Sequence, residues 1–122
     1  MSKNIKLNIK PVRINPVVDR CSDTNYVFVI RDGSAQDIDL TGFTAKMQLR
    51  PYHGAKKVYD ELTTENGRLR IEGGRIFINF PAHTPGKYIY DRAVYDLYVV
   101  SADGLQYRVA EGEVEVSREV TQ

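Results

Sequence analysis

The sequence predicts an all-β protein, an antiparallel immunoglobulin-like β-sandwich of about seven to eight strands, with a small barrel as the rival architecture. Turn dipeptides punctuate the chain at Asp32-Gly33, Asn66-Gly67, Gly73-Gly74, Pro85-Gly86 and Asp103-Gly104, each supplying the positive or fixed φ that tight turns require. Between these turns the apolar residues recur with period two, and no stretch of ten or more residues carries a 3.6-residue apolar stripe. At 122 residues there is room for one domain.

Taken in order, Ile5, Leu7 and Ile9 alternate with Lys6, Asn8 and Lys10, and across Pro11 the apolar parity shifts to Val12 and Ile14. Proline confines such a segment to an edge or a kink, so residues 1–15 are expected to form an N-terminal arm or edge strand, with 16–122 as the sandwich domain. The run Tyr26-Val27-Phe28-Val29-Ile30 is apolar on both faces, which suits a central strand covered on both sides, or one whose outer face meets a partner. In Phe43 to Arg50, Phe43, Ala45, Met47 and Leu49 face one way and Thr44, Lys46, Gln48 and Arg50 the other, so one face is buried and one wet.

Two hairpins are expected. Arg68–Ile71 and Arg75–Phe80 turn at Gly73-Gly74, and Val94–Val100 turns at Asp103-Gly104 into Leu105–Val109. Parity shifts again from Tyr107 and Val109 to Val114 and Val116, which a bulge near Glu111-Gly112 would explain.

Seventeen Lys and Arg against sixteen Asp and Glu leave a net charge of +1, too little for a single-sign field that holds nucleic acid or an anionic membrane. No apolar run approaches a membrane span of ~20 residues, and charges interrupt the N-terminus where a secretory signal needs continuity. The single cysteine, Cys21, has no disulfide or C-x-x-C partner, in keeping with synthesis in a reducing cytoplasm.

Catalytic constellations are thin. His53 and His83 sit beside loop-forming residues without zinc-motif spacing, and the bland reading is surface loop histidines. Asp32, Asp37 and Asp39 could offer oxygen ligands to calcium but lack the spacing and closing Glu of a calcium loop. Glu61 with Glu65, or Asp91 with Asp96, could be proposed as acid-base pairs, yet charges flanking strands are normally the wet ends of a sheet. There is no P-loop, G-x-S-x-G or dinucleotide turn, so neither an enzyme nor a cofactor is expected.

The compositional skew is eight Tyr and four Phe with no Trp. Four of the tyrosines fall in Tyr88–Tyr98, where Tyr95 and Tyr98 must point to opposite faces of one strand, and tyrosine with arginine is the chemistry of contact surfaces. The residues singled out for partner contact are Tyr88, Tyr90, Arg92 and Tyr98, together with Ile5, Leu7 and Ile9 of the arm.

The run Asp37-Ile38-Asp39-Leu40-Thr41-Gly42-Phe43-Thr44-Ala45-Lys46-Met47-Gln48-Leu49-Arg50 resembles a segment of small virion-module proteins from tailed bacteriophages and prophages. Glu61–Gly67, Gly86–Asp91 and Glu111–Thr121 are similar to successive landmarks of that group, so the resemblance spans about Tyr26 to Thr121. It implies a β-sandwich with a structural role in the virion and no catalytic residues. The partners it implies are other virion proteins of the tail, baseplate, fibre or capsid, and further copies of the chain as a homo-oligomer. An attachment module at the tail, baseplate or fibre anchor is the first expectation and capsid decoration the second. A carbohydrate-binding module for the host surface, suggested by the tyrosines, is the third.

Overall fold

The computed structural model describes residues 9, 11–19, 22–31, 38–81 and 90–117. Among these residues there are nine strands and no helix: β1 (Val12–Arg13), β2 (Val17–Asp19), β3 (Thr24–Val29), β4 (Thr44–Arg50), β5 (Asp60–Thr63), β6 (Leu69–Glu72), β7 (Arg75–Phe80), β8 (Arg92–Val100) and β9 (Gln106–Ser117). They form two sheets. In the larger, β1 and β2 both lie on one side of β9, followed by β8, β4 and β5; the smaller runs β3-β7-β6.

Alternation along β4 and β8 builds the shared core. Ala45, Met47 and Leu49 are buried from β4 and Ala93, Tyr95, Leu97 and Val99 from β8, meeting Phe28, Ile76, Ile78 and Phe80 of the smaller sheet. Each large side chain so buried contributes roughly 1.5–3 kcal/mol by transfer. Phe43 precedes β4 and is only partly buried against this cluster. Both expected hairpins form. Glu72 pairs with Arg75 around the Gly73-Gly74 loop, and Val100 pairs with Gln106 around a turn closed by Ser101 N–H to the Leu105 carbonyl at 2.8 Å.

Four expectations are corrected. Among the described residues the Tyr26–Ile30 segment is an edge rather than a central strand: β3 pairs with β7 alone there, and Val27 and Val29 are exposed on its outer face. Among the described residues the larger sheet covers only the inner face of β3, where Tyr26 and Phe28 pack, so Val27 and Val29 on the outer face stay uncovered. The sandwich is not wholly antiparallel, since β1 and β2 run parallel to β9. The bulge lies at Val109, not Glu111-Gly112: Leu97 pairs with Ala110 and Tyr98 with Arg108. Consecutive Val109 and Ala110 both point inward, so the parity changes there. Two short strands on the N-terminal side raise the count above eight.

Each open side of the sandwich is closed by a polar side chain. On one side, Arg68 makes a two-pronged ion pair with buried Asp60, Nη2 to Oδ2 at 2.9 Å and Nη1 to Oδ1 at 3.2 Å, tying the start of β6 to β5. On the other, the Tyr26 hydroxyl of β3 accepts from the Val17 N–H at 2.8 Å and donates to the Val17 carbonyl at 2.7 Å. Glu115 N–H bonds to the Pro16 carbonyl, so by alternation the Val17 groups point away from β9 and Tyr26 occupies what would be a free strand edge.

Candidate functional site

The wet face of the larger sheet is the most organised polar surface among the described residues. Register sets it out in rows that cross β5, β4, β8 and β9: Thr63, Lys46, Tyr98 and Arg108 form one row, and Glu61, Gln48, Asp96 and Glu111 the next. Neighbouring strands stand ~4.8 Å apart, so each side chain meets its row partner directly. Tyr98 therefore lies between two cations, Lys46 and Arg108, and Asp96 between Gln48 and Glu111.

Part of this surface is locked. Arg50 donates through Nη1 to the Ala55 carbonyl and through Nη2 to Gln48 Oε1 at 2.7 Å, while Gln48 Nε2 donates to Glu61 Oε2 at 2.6 Å. The chain Arg50–Gln48–Glu61 holds the 51–59 loop onto the face. Arg108 Nη1 lies 3.4 Å from Glu111 Oε1 and 3.9 Å from Asp96 Oδ1. At that distance Asp96 Oδ1 makes no hydrogen bond, although the atom is shielded from solvent.

A shallow groove of about 290 Å³ runs along β4 and β8 over this face, lined by Lys46, Gln48, Arg50, His53, Asp96, Tyr98 and Gln106 among others. Cationic, acidic, amide and phenolic groups are interleaved in it, which fits recognition of a polar surface by hydrogen bonds and charge. The inward neighbour Tyr95 is different: burial pushes its phenol above the ordinary tyrosine value, and its hydroxyl donates to the Ile14 carbonyl at 2.7 Å.

Of the residues singled out from the sequence, Ile5, Leu7 and Tyr88 lie outside the described residues, as do Cys21, Asp32, Asp37 and His83. Ile9 packs partly buried against the core. Tyr90 is turned inward at 5 % exposure, its ring stacked on Tyr59 with centroids 4.5 Å apart, which leaves it almost no surface for a partner. Arg92 is exposed and pairs with Glu115 at 3.3 Å. Tyr98 is half-buried on the wet face, opposite to Tyr95 as the alternation requires. Arg92 and Tyr98 thus share a face, six residues apart along β8, roughly 20 Å at ~3.4 Å per residue.

Glu61 and Glu65, one of the acid-base pairs considered, and Asp39, a candidate calcium ligand, each accept local hydrogen bonds. Glu61 accepts from Gln48, and Glu65 from the Thr64 hydroxyl at 3.0 Å. Asp39 accepts from the Thr41 hydroxyl at 2.6 Å and the Thr41 N–H at 3.0 Å, and these bonds, the hydroxyl first, hold its carboxyl below the usual range. Among the described residues no group of three or more His, Cys, Asp or Glu is placed to hold a metal ion. No helix among them is long and apolar enough to cross a membrane.

Sequence reasoning missed Lys46, Asp96 and Arg108 as members of one surface. The wet face of β4 was legible, but which residues of β8 and β9 stand beside it follows from register, and register passes through the Val109 bulge. No family model matches the chain, and no curated protein matches it either.

Proposed function

We propose that this chain is a structural protein of a tailed-bacteriophage particle, an assembly or attachment module at the tail, baseplate or fibre anchor that acts by protein contact. The observation that carries a contact role is the outer face of β3, where Val27 is 49 % and Val29 37 % exposed on a strand with no neighbour beyond it among the described residues. Paired valines on an open edge are what a monomer avoids and a docking strand uses. The virion setting itself rests on the resemblance of Asp37–Arg50 and the later landmarks.

Strand order supports the finer immunoglobulin-like assignment. That fold places strands B, E and D in one sheet and C, F and G in the other, with an added C′ beside C in variable-type domains. Here β3-β7-β6 occupy the first set of places, β4-β8-β9 the second, and β5 the added one.

Immunogold electron microscopy of purified particles with antibody against this chain tests the proposal. Label at the tail or its tip supports an adaptor for fibres or baseplate. Label on heads makes the protein a capsid decoration or cement protein instead. Unlabelled particles, with the epitope shown accessible, remove the virion role and leave a host-surface carbohydrate module as the next candidate, to be tested on a glycan array.

A further inference from the structure

We propose that the wet face of the larger sheet binds a second copy of this chain, face to face, about a two-fold axis that crosses the strands between the Tyr98 row and the Asp96 row. The proposal rests on the contact role above and names the partner of one surface. Its ground is the charge pattern that register imposes: Lys46 and Arg108 flank Tyr98 in one row, and Glu61, Asp96 and Glu111 make the adjacent row acidic.

Rotation about such an axis lays the cationic row of one copy over the acidic row of the other, twice. Tyr98 then stands over Asp96 of the second copy, and Arg108 over Glu111 of the second copy. Lys46 stands over Gln48, within reach of the carboxylates on either side of it. Sliding the copies until like rows meet places cation on cation and carboxylate on carboxylate, so the pattern selects one register.

Three of the groups at the centre of this face, Lys46, Tyr98 and Asp96 Oδ1, are left uncommitted by the fold, while Arg108, Glu111 and Glu61 already make contacts within the chain. Among the described residues neither the Lys46 ammonium nor the Tyr98 hydroxyl has a hydrogen-bond or ion-pair partner, and Asp96 Oδ1 has Arg108 no nearer than 3.9 Å. A donor from a facing copy would complete the Asp96 carboxylate. Seven residues of β8, Val94–Val100, lie symmetrically about such an axis, and across four strands at ~4.8 Å and ~3.4 Å per residue they give a face of at most roughly 450 Å². That is below the ~800 Å² per partner of standard interfaces, so the association should be weak, concentration-dependent and weakened by salt.

The test is sedimentation equilibrium of the full chain over a range of concentrations, at low and high salt, with Lys46→Glu and Asp96→Lys variants. The expected result is a monomer–dimer equilibrium in which each single reversal raises Kd at least tenfold. An equimolar mixture of the two variants should regain the parent affinity. In the mixed dimer the carboxylate introduced at position 46 of one copy meets the ammonium introduced at position 96 of the other, while the remaining Asp96 meets the remaining Lys46. A monomer at every concentration overturns the proposal, and so does a dimer indifferent to both reversals, or one the mixture does not restore. Circular dichroism checks that each variant is folded; if a reversal unfolds the chain, Lys46→Gln and Tyr98→Ser replace it, and an unchanged Kd in both is equally fatal. A monomer in solution that immunogold still finds on particles sinks this interface alone and leaves the virion role standing.

Discussion

Tyr95 and Gly112 stand opposite each other on β8 and β9, and between them they seat the N-terminal strand segment on the larger sheet. The Tyr95 hydroxyl donates to the Ile14 carbonyl at 2.7 Å. Gly112, at φ +154°, leaves that carbonyl its space: a Cβ there would lie 2.1 Å from the Ile14 oxygen and 2.8 Å from Asn15 Oδ1. Between β1 and β2 the side chain of Asn15 takes over as strand partner, accepting the Glu113 N–H at 3.0 Å.

Gly112→Ala should therefore detach this segment. The added methyl meets the Ile14 backbone oxygen most closely, with the Asn15 side chain beyond it, so Ile14 must shift and its N–H bond to the Glu111 carbonyl is lost. Hydrogen exchange should show the Ile14 and Glu113 amides losing protection while β4 amides keep theirs. Unchanged protection at Ile14 would show that the crossing does not depend on the glycine.

Tyr95→Phe removes one partly buried hydrogen bond and should lower stability by about 1–2 kcal/mol in urea titration. It should also change the alkaline limb. Burial raises the Tyr95 phenol in the folded protein, so the unfolded chain ionises first; stability is complete below the ordinary tyrosine value near 10 and is lost as pH rises above it. The parent should lose stability above about pH 10 more steeply than the Phe variant. Identical slopes would count against a buried Tyr95.

Arg68→Ala leaves the Asp60 carboxylate, whose side chain is 2 % exposed, without its guanidinium partner. Removing one member of a buried pair costs about 3 kcal/mol, and Arg68 is itself slightly exposed, so this is an upper figure. Chemical denaturation measures it; a loss below about 1 kcal/mol would place the pair with ordinary surface bridges.

Tyr26→Phe should have two separable effects. Losing the hydroxyl bonds to Val17 costs about 1 kcal/mol, and it also uncovers the outer edge of β2. Light scattering on holding at elevated concentration should rise above that of the parent even where the variant remains fully folded. If scattering stays flat, the β2 edge is protected by something other than Tyr26.

Met47→Asp places a charge at a position with no solvent exposure, and soluble folded protein should not accumulate. Lys46→Asp, one residue away on the wet face, should still fold. Reversal of these two outcomes would invert the faces assigned to β4.

Much of the chain was legible from residue order alone. The Phe43–Arg50 alternation identified the buried face of β4, and the opposite facing of Tyr95 and Tyr98 followed from a two-residue period. Gly73-Gly74 and Asp103-Gly104 located both hairpins. These are local properties: backbone pleat and turn dihedrals are decided by a few adjacent residues.

What only the tertiary structure decided is partnership. Val27 and Val29 carry the same side-chain signal in a central strand as in an edge strand, and whether a second layer covers them depends on where the other strands go. Tyr90 belongs to a contact-like cluster in sequence yet stacks on Tyr59 inside the protein, because the 51–59 loop brings that ring alongside it. The Gln48–Asp96–Glu111 row exists only once the Val109 bulge has set the register of β9 against β8, bringing Glu111 beside Asp96 and next to the Lys46–Tyr98–Arg108 row. Composition and periodicity thus determined that this chain makes β-strands and which way their side chains face. The competition among apolar faces for one core, settled between residues far apart in sequence, determined which strands are neighbours, which edge stays open and which charges share a surface.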